Sequence, residues 1–324
     1  MTKTAPRQAA DTSVNRGRAL AVTLGYAAIV VLAWGSNYPL MKRAIADMPP
    51  LTFTILRLWG AAAVIAVLIR ARGDGPLCPP REERAALAGV GLLQFGSVLG
   101  LTSIALQYLP AGRTVTVVYS MPVWAALAAM LLGHGKPTRR HAIALALGLA
   151  GLLLFLNPAV VDWRARGVAA GMAMVLGAAV CWGIGAACYR GRQWRASMLC
   201  QTFWQLLAAA VLLTPCAWWF DTGQPVRPGA MLFTIIAWNW VVPTALALWA
   251  WTKLLSRVDP AVAGQLLALT PLVGIGCSAL MFNESLPPAF ALCALLIAAA
   301  SCIVLWTPSS ARRAGGGGAA QGGA

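Results

Sequence analysis

The chain has 324 residues, 59% of them hydrophobic and 10% charged, with a mean hydropathy of +0.72. Soluble domains carry about 25% charged residues, so this composition excludes a water-soluble globular protein. The net charge of +16 has to be explained by where the basic residues fall along the chain.

A helix rising about 1.5 Å per residue needs roughly 20 apolar residues to cross the hydrocarbon of a bilayer. Residues 1–18 are polar and basic and lack the small-residue cleavage site of a signal peptide, so they read as a cytoplasmic tail before a retained first span. Ten apolar spans follow. The first five run from Ala19 to Met41, Leu51 to Ile69, Ala85 to Leu106, Thr114 to Leu132 and Ala142 to Leu156. The second five run from Val168 to Tyr189, Met198 to Trp219, Met231 to Leu254, Ala261 to Phe282 and Ala289 to Trp306. A short linker, 158–166, separates the halves 19–157 and 167–307, and a Gly/Ala-rich flexible tail occupies 308–324. No break between spans is long enough for a soluble domain.

The halves repeat. Trp34-Gly35 and Trp182-Gly183 lie 148 residues apart, each followed eight positions later by a cation, Lys42 or Arg190. Thr54, Leu58, Ala61 and Ala62 meet Thr202, Leu206, Ala209 and Ala210 at the same offset, and Pro122 meets Pro271 at 149. A duplicated unit of five spans must cross the membrane the second time in the opposite sense, because five is odd. The expected fold class is therefore an all-α integral membrane protein, with ten transmembrane helices as two inverted five-helix repeats. Solute sites in such folds lie near the midplane between the repeats. With the amino terminus inside, 18 Lys and Arg fall on cytoplasmic segments and six on outer loops, with Arg57 inside a span. That bias sets both termini in the cytoplasm. The excess charge is a topology signal, and no nucleic acid partner is implied.

Few polar residues lie within spans, and they are the site candidates. Trp34, Asn37, Tyr38 and Met41 share one helix face. In lipid that face has to turn inward, to line a cavity or to pack on a neighbouring span. Gln201, Trp204 and Gln205 form a similar face in the seventh span, open to the same two readings, the second being interhelical hydrogen bonds worth about 0.6 kcal/mol each. Arg57 stands about two turns into the second span, where a guanidinium costs about 2.5–3.5 kcal/mol on insertion scales. It contacts an anionic group of a solute, or it clamps backbone carbonyls or snorkels outward. Pro122 and Pro271 kink the fourth and ninth spans, as a static bend or as paired gating helices. Tyr119 lies one turn below the first kink, and Gln265 beside the second is a weaker candidate. No carboxylate sits mid-span to relay protons. The histidines, His134 and His141, flank a loop. The tryptophans at span ends, among them Trp218, Trp219, Trp238 and Trp240, fit interfacial belts.

The run Trp34-Gly-Ser-Asn-Tyr-Pro-Leu-Met-Lys42, then Pro49, Pro50 and Leu51 leading to Arg57, resembles the first repeat of an EamA-family carrier of the drug/metabolite transporter superfamily. Leu109-Pro-Ala before Pro122, Val258-Asp-Pro-Ala before Pro271, and Asn283-Glu-Ser-Leu extend the resemblance over about residues 20–306. Two positions depart from a symmetric pattern: Glu284 faces Gly135 in the other half, and Arg57 faces Gln205. The resemblance implies a secondary transporter that exports or exchanges small metabolites such as amino acids by alternating access, without ATP or a bound cofactor. Multidrug efflux is the alternative, and a membrane enzyme or sensor a more distant one. No HExxH, phosphate-cradling loop or Gly-x-Ser-x-Gly elbow occurs. The eight cysteines show neither metal-ligand spacing nor a disulfide framework. Partners are then a small solute and membrane lipid, with no oligomeric state indicated. Arginine outnumbers lysine 21 to four, a bias of GC-rich bacterial genomes that points to a bacterial inner membrane.

Overall fold

A computed structural model describes residues 5–133, 139–155, 161–258, 266–267 and 269–283, with short helical pieces between 292 and 303. All regular structure among the described residues is helical. Among the described residues, seven helices are long and apolar enough to cross a membrane: Ala19–Ala44, Pro50–Arg72, Arg81–Ala105, Ala111–Leu131, Val168–Arg190, Met198–Phe220 and Ala230–Leu255. They match the first four spans and the sixth to eighth within a few residues. Arg139–Phe155, at 17 residues, stands at the fifth, and Thr270–Phe282 covers the second half of the ninth. Glu284, Gln265, Asp259, His134 and most of the tenth span lie outside the described residues. The first helix begins at Ala5, so residues 5–18 are helical and run on into the first span.

Proline sets where spans begin. Pro49, Pro80 and Pro110 precede the second, third and fourth helices with ψ of 143°, 145° and 144°. Proline fixes φ and lacks an N–H, so it fits just before a helix, where no intrahelical bond is lost. Four spans are interrupted inside. The first breaks at Ser36, between Ala5–Gly35 and Asn37–Ala44. The fourth breaks between Ala111–Val118 and Met121–Leu131, with Pro122 in the first turn of the second piece. The third and eighth each contain a π-turn, Leu92–Gly96 and Val241–Leu246. These π-turns start 149 residues apart, the offset of the sequence repeat.

Pairing follows the same exchange of halves. The second and seventh helices make the most extensive contact in the molecule. The first span packs on the eighth and the sixth on the third; the sixth also packs on the fourth, and the first on the ninth. The second and seventh helices run antiparallel, since Thr52 at the start of one bonds Asp221 at the end of the other, and Trp59 Nε1 donates to Thr214 Oγ1 at 3.2 Å. Ala61, Ala62, Ala209 and Ala210, all 2% exposed or less, meet at their crossing. Small residues let membrane helices approach closely enough for dispersion contacts to hold them.

The duplicated Trp-Gly pairs have a packing cause. A Cβ on Gly35 would come 2.9 Å from the Thr270 carbonyl oxygen, beside Pro271. A Cβ on Gly183 would come 2.6 Å from the Trp124 backbone, beside Pro122. Each glycine thus admits the proline-bent helix of the other half. Exposed Leu131, Trp218, Trp219 and Leu280 form the outward face, as lipid contact requires.

Candidate functional site

The polar centre of the molecule is built from three spans. Asn37 begins the second piece of the first span, Arg57 lies two turns into the second, and Asn239 ends the helix before the π-turn of the eighth. All three are buried, Asn239 completely. The neighbours of Asn37 orient its amide: its oxygen accepts from Arg57 Nη1 and Nη2 at 3.0 and 3.1 Å, and its nitrogen donates to Asn239 Oδ1 at 2.7 Å. Arg57 Nη1 also lies 3.1 Å from Met41 Sδ. Asn239 Nδ2 donates back to the Ile235 carbonyl at 2.9 Å. Arg57 has no carboxylate partner among the described residues. Its planar fork is held by an amide dipole and a thioether, and its charge is uncompensated there.

The π-turn explains why Asn239 can serve. Pro243 removes an N–H and pushes away the carbonyl four residues earlier, that of Asn239. The Thr244 hydroxyl takes up that carbonyl at 3.0 Å. The Pro243 carbonyl in turn accepts from Trp34 Nε1 at 2.8 Å. Asn239, between Trp238 and Trp240, is not among the residues singled out from the sequence. A lone amide in an apolar run was the available signal. Trp240 also departs from the belt reading: its indole lies on Gly60, where a Cβ would come 2.0 Å from Nε1, and it donates to the Leu56 carbonyl at 3.0 Å.

The Trp34, Asn37, Tyr38, Met41 face does turn inward. Tyr38 meets Tyr119 edge-on, with ring centroids 6.4 Å apart. Tyr119 caps the helix end ahead of Pro122. Thr270 beside Pro271 is fully buried, and its hydroxyl makes no hydrogen bond although the Tyr119 hydroxyl faces it. The structure therefore gathers Asn37, Tyr38, Arg57 and Tyr119 around one interior region, with Trp34 tying the first span to the eighth.

The seventh-span face is divided. Gln201 is engaged on both sides, accepting from the Tyr189 hydroxyl and donating to the Ala196 carbonyl at 2.7 Å. Trp204 Nε1 donates to the Arg84 carbonyl at 3.0 Å. These two are interhelical ties. Gln205 is 5% exposed and its backbone lies against Gly91.

Two buried carboxylates bind backbone N–H groups of other segments, one in the first turn of a helix and one just ahead of a helix. Asp221 accepts from Thr52 N and Oγ1 at 2.6 and 2.8 Å. Glu83 accepts from Arg195 N and Ala196 N at 2.6 and 3.2 Å. Each places a negative charge at a helix start, where the dipole favours it. At the Asp221 end Lys42 Nζ also donates to the Leu109 carbonyl at 3.1 Å, and Arg43 pairs with Asp47 at 2.6 Å.

The sequence profile of the EamA-like transporter family matches residues 22–157 and again 169–306. This chain belongs to that family. The two matched stretches are the two halves of the repeat. An uncharacterized transporter, YoaV, of Bacillus subtilis is 24% identical over 83% of the chain and 91% of its own length. A second from the same organism, YvbV, is 27% identical over 83% and 87%. The uncharacterized inner membrane transporter YedA of Escherichia coli K12 is 25% identical over 80% and 83%. A crystal structure shares the fold at TM-score 0.62 and 20% identity, covering 87% of this chain and 95% of its own. The EamA protein described here is thus a multi-span membrane transporter of the drug/metabolite type.

Proposed function

We propose that this EamA protein is a secondary carrier that exports or exchanges small metabolites, amino acids or close relatives, by alternating access. It acts in a bacterial inner membrane with both termini cytoplasmic, as ten spans in two inverted five-helix repeats. Two features support the repeat reading: the second and seventh helices, equivalent in sequence, run antiparallel, and the π-turns recur at the repeat offset. The helices at Arg139–Phe155 and Thr270–Phe282 and the pieces between 292 and 303 stand where the remaining three spans belong.

One observation carries the solute class. Arg57 is 9% exposed and bonded to an amide and a thioether, with no carboxylate facing it among the described residues. A buried guanidinium gains most from a carboxylate, which accepts two parallel N–H bonds. An anionic group on the solute supplies that partner, with Asn37, Tyr38, Tyr119 and Trp34 around it. A cationic drug would meet repulsion from Arg57, which favours metabolite over multidrug transport. The helix breaks at Pro122 and Pro271 are the hinges of this reading, each pressed by the glycine of a Trp-Gly pair. In the seventh span Gln201 and Trp204 support the path by holding helix to helix.

The test is reconstitution of the purified protein in liposomes with a panel of labelled amino acids. Uptake or counterflow above empty liposomes is expected for at least one. If none moves under any imposed gradient, the amino-acid assignment is lost.

A further inference from the structure

The exchange of halves that relates Arg57 to Gln205 also relates Trp34 to Trp182, and the π-turn of the eighth span to that of the third. Trp34 ties to the eighth-span π-turn through Pro243; Trp182 lies on the third-span π-turn, its ring 6.1 Å from Phe95. Within that turn Gln94 passes over Gly185 of the sixth span, where a Cβ would come 2.7 Å from its Cγ. On the other side Gly91 lies against the Gln205 backbone. Gln94, Trp182 and Gln205 thus surround one π-turn, as Asn37, Trp34 and Arg57 surround the other.

The two groups differ in how far they are satisfied. Around Arg57 the indole and the Asn37 amide are bonded. The side chains of Gln94, Trp182 and Gln205 make no hydrogen bond, although Gln205 is 95% buried. Thr270 Oγ1 is the one unpaired side-chain polar atom among the described residues that nothing the size of water can reach. The two amides therefore border space that a small polar group can enter. In hydrocarbon an unpaired polar group costs several kcal/mol, which a water-filled or solute-filled site relieves.

The antiparallel register of the second and seventh helices sets the two groups apart. It places Arg57 level with Cys216, eleven residues from Gln205, which is about 16 Å at 1.5 Å per residue. A solute of amino-acid size occupies one group at a time. We propose that Gln94, Trp182 and Gln205 form a second solute-binding station toward the cytoplasmic side. It would be uncharged and bind hydroxyl or amide groups, which both donate and accept. This rests on the transport reading above and adds a second stop on the same path.

Thiol accessibility tests the station without knowledge of the solute. In the full chain in liposomes, with the native cysteines replaced, Gln205→Cys and Gln94→Cys are each expected to react with methanethiosulfonate ethylammonium at least tenfold faster than Ala209→Cys, one turn along at the helix crossing. Rates no faster than that of Ala209→Cys at both positions overturn the station. Flux is the second readout: Gln205→Leu keeps the side-chain bulk and is expected to lower transport of a carried labelled amino acid at least tenfold. Normal flux in Gln205→Leu and Gln94→Leu, beside lost flux in Arg57→Gln, would discard the station and leave the transport reading intact. If no amino acid moves at all, the amino-acid assignment fails while the thiol rates still decide whether a wet site exists.

Discussion

Arg57, the Asn37 amide it bonds and the Asn239 amide behind that carry most of the chemical information in this chain. The sequence identifies Arg57 because a guanidinium two turns into an apolar span has no cheap place to go. It does not identify Asn239, 182 positions away, because only the fold brings the two residues to the same Asn37 side chain. Arg57→Gln is expected to abolish flux while expression and the elution profile in detergent stay unchanged, since a glutamine still donates to the Asn37 oxygen; normal transport would remove Arg57 from the solute site. Asn239→Leu acts differently. It removes the acceptor of Asn37 Nδ2 and leaves a buried donor unpaired, a loss of about 1–3 kcal/mol. A lowered thermal midpoint in detergent would register it, with Asn239→Asp, which keeps an acceptor, falling less. The inward turn of Trp34, Asn37, Tyr38 and Met41 was legible from helical spacing. What each one touches was not, because spacing fixes a face and says nothing of the neighbour opposite.

At the scale of single helices, span limits followed closely from hydropathy, because length and polarity at both ends are set by the bilayer. Helix interruptions were half visible. Pro122 announces the break in the fourth span, but the π-turns at Leu92–Gly96 and Val241–Leu246 leave little trace in composition. Such turns occur often at functional sites, and here both lie beside polar groups. Thr244→Val is a sharp test of the eighth-span turn: the Asn239 carbonyl loses the hydroxyl that donates to it, and thermal stability is expected to fall by about 1 kcal/mol. The caps were not foreseen. Asp221 ends the seventh helix, is buried and takes both donors of Thr52. Asp221→Ala and Glu83→Ala are each expected to cost about 1–2 kcal/mol, measured as earlier thermal unfolding, and additively, since Asp221 holds the start of the second helix and Glu83 the approach to the seventh, with no shared partner. An unchanged midpoint in both would show that water replaces the carboxylates.

For the molecule as a whole, the decisive relation is the antiparallel pairing of the second and seventh helices across four alanines. A cysteine pair at Trp59 and Thr214 is expected to cross-link with a short bifunctional reagent, and a pair at Trp59 and Leu207, level at the repeat offset, is not. The reverse pattern would mean the helices run parallel. The same pairing separates the amide-held cation from the uncharged amides, so the two halves present unlike chemistry at matched positions. Composition, the limits of seven spans and the 148-residue offset were determined by sequence alone, because hydropathy and duplication are properties of the chain read in order. Only the tertiary structure decided which helix of one half packs on which helix of the other. That choice depends on where glycine or alanine lets two backbones close, and on which buried donor finds an acceptor, both of which exist only between segments distant in sequence.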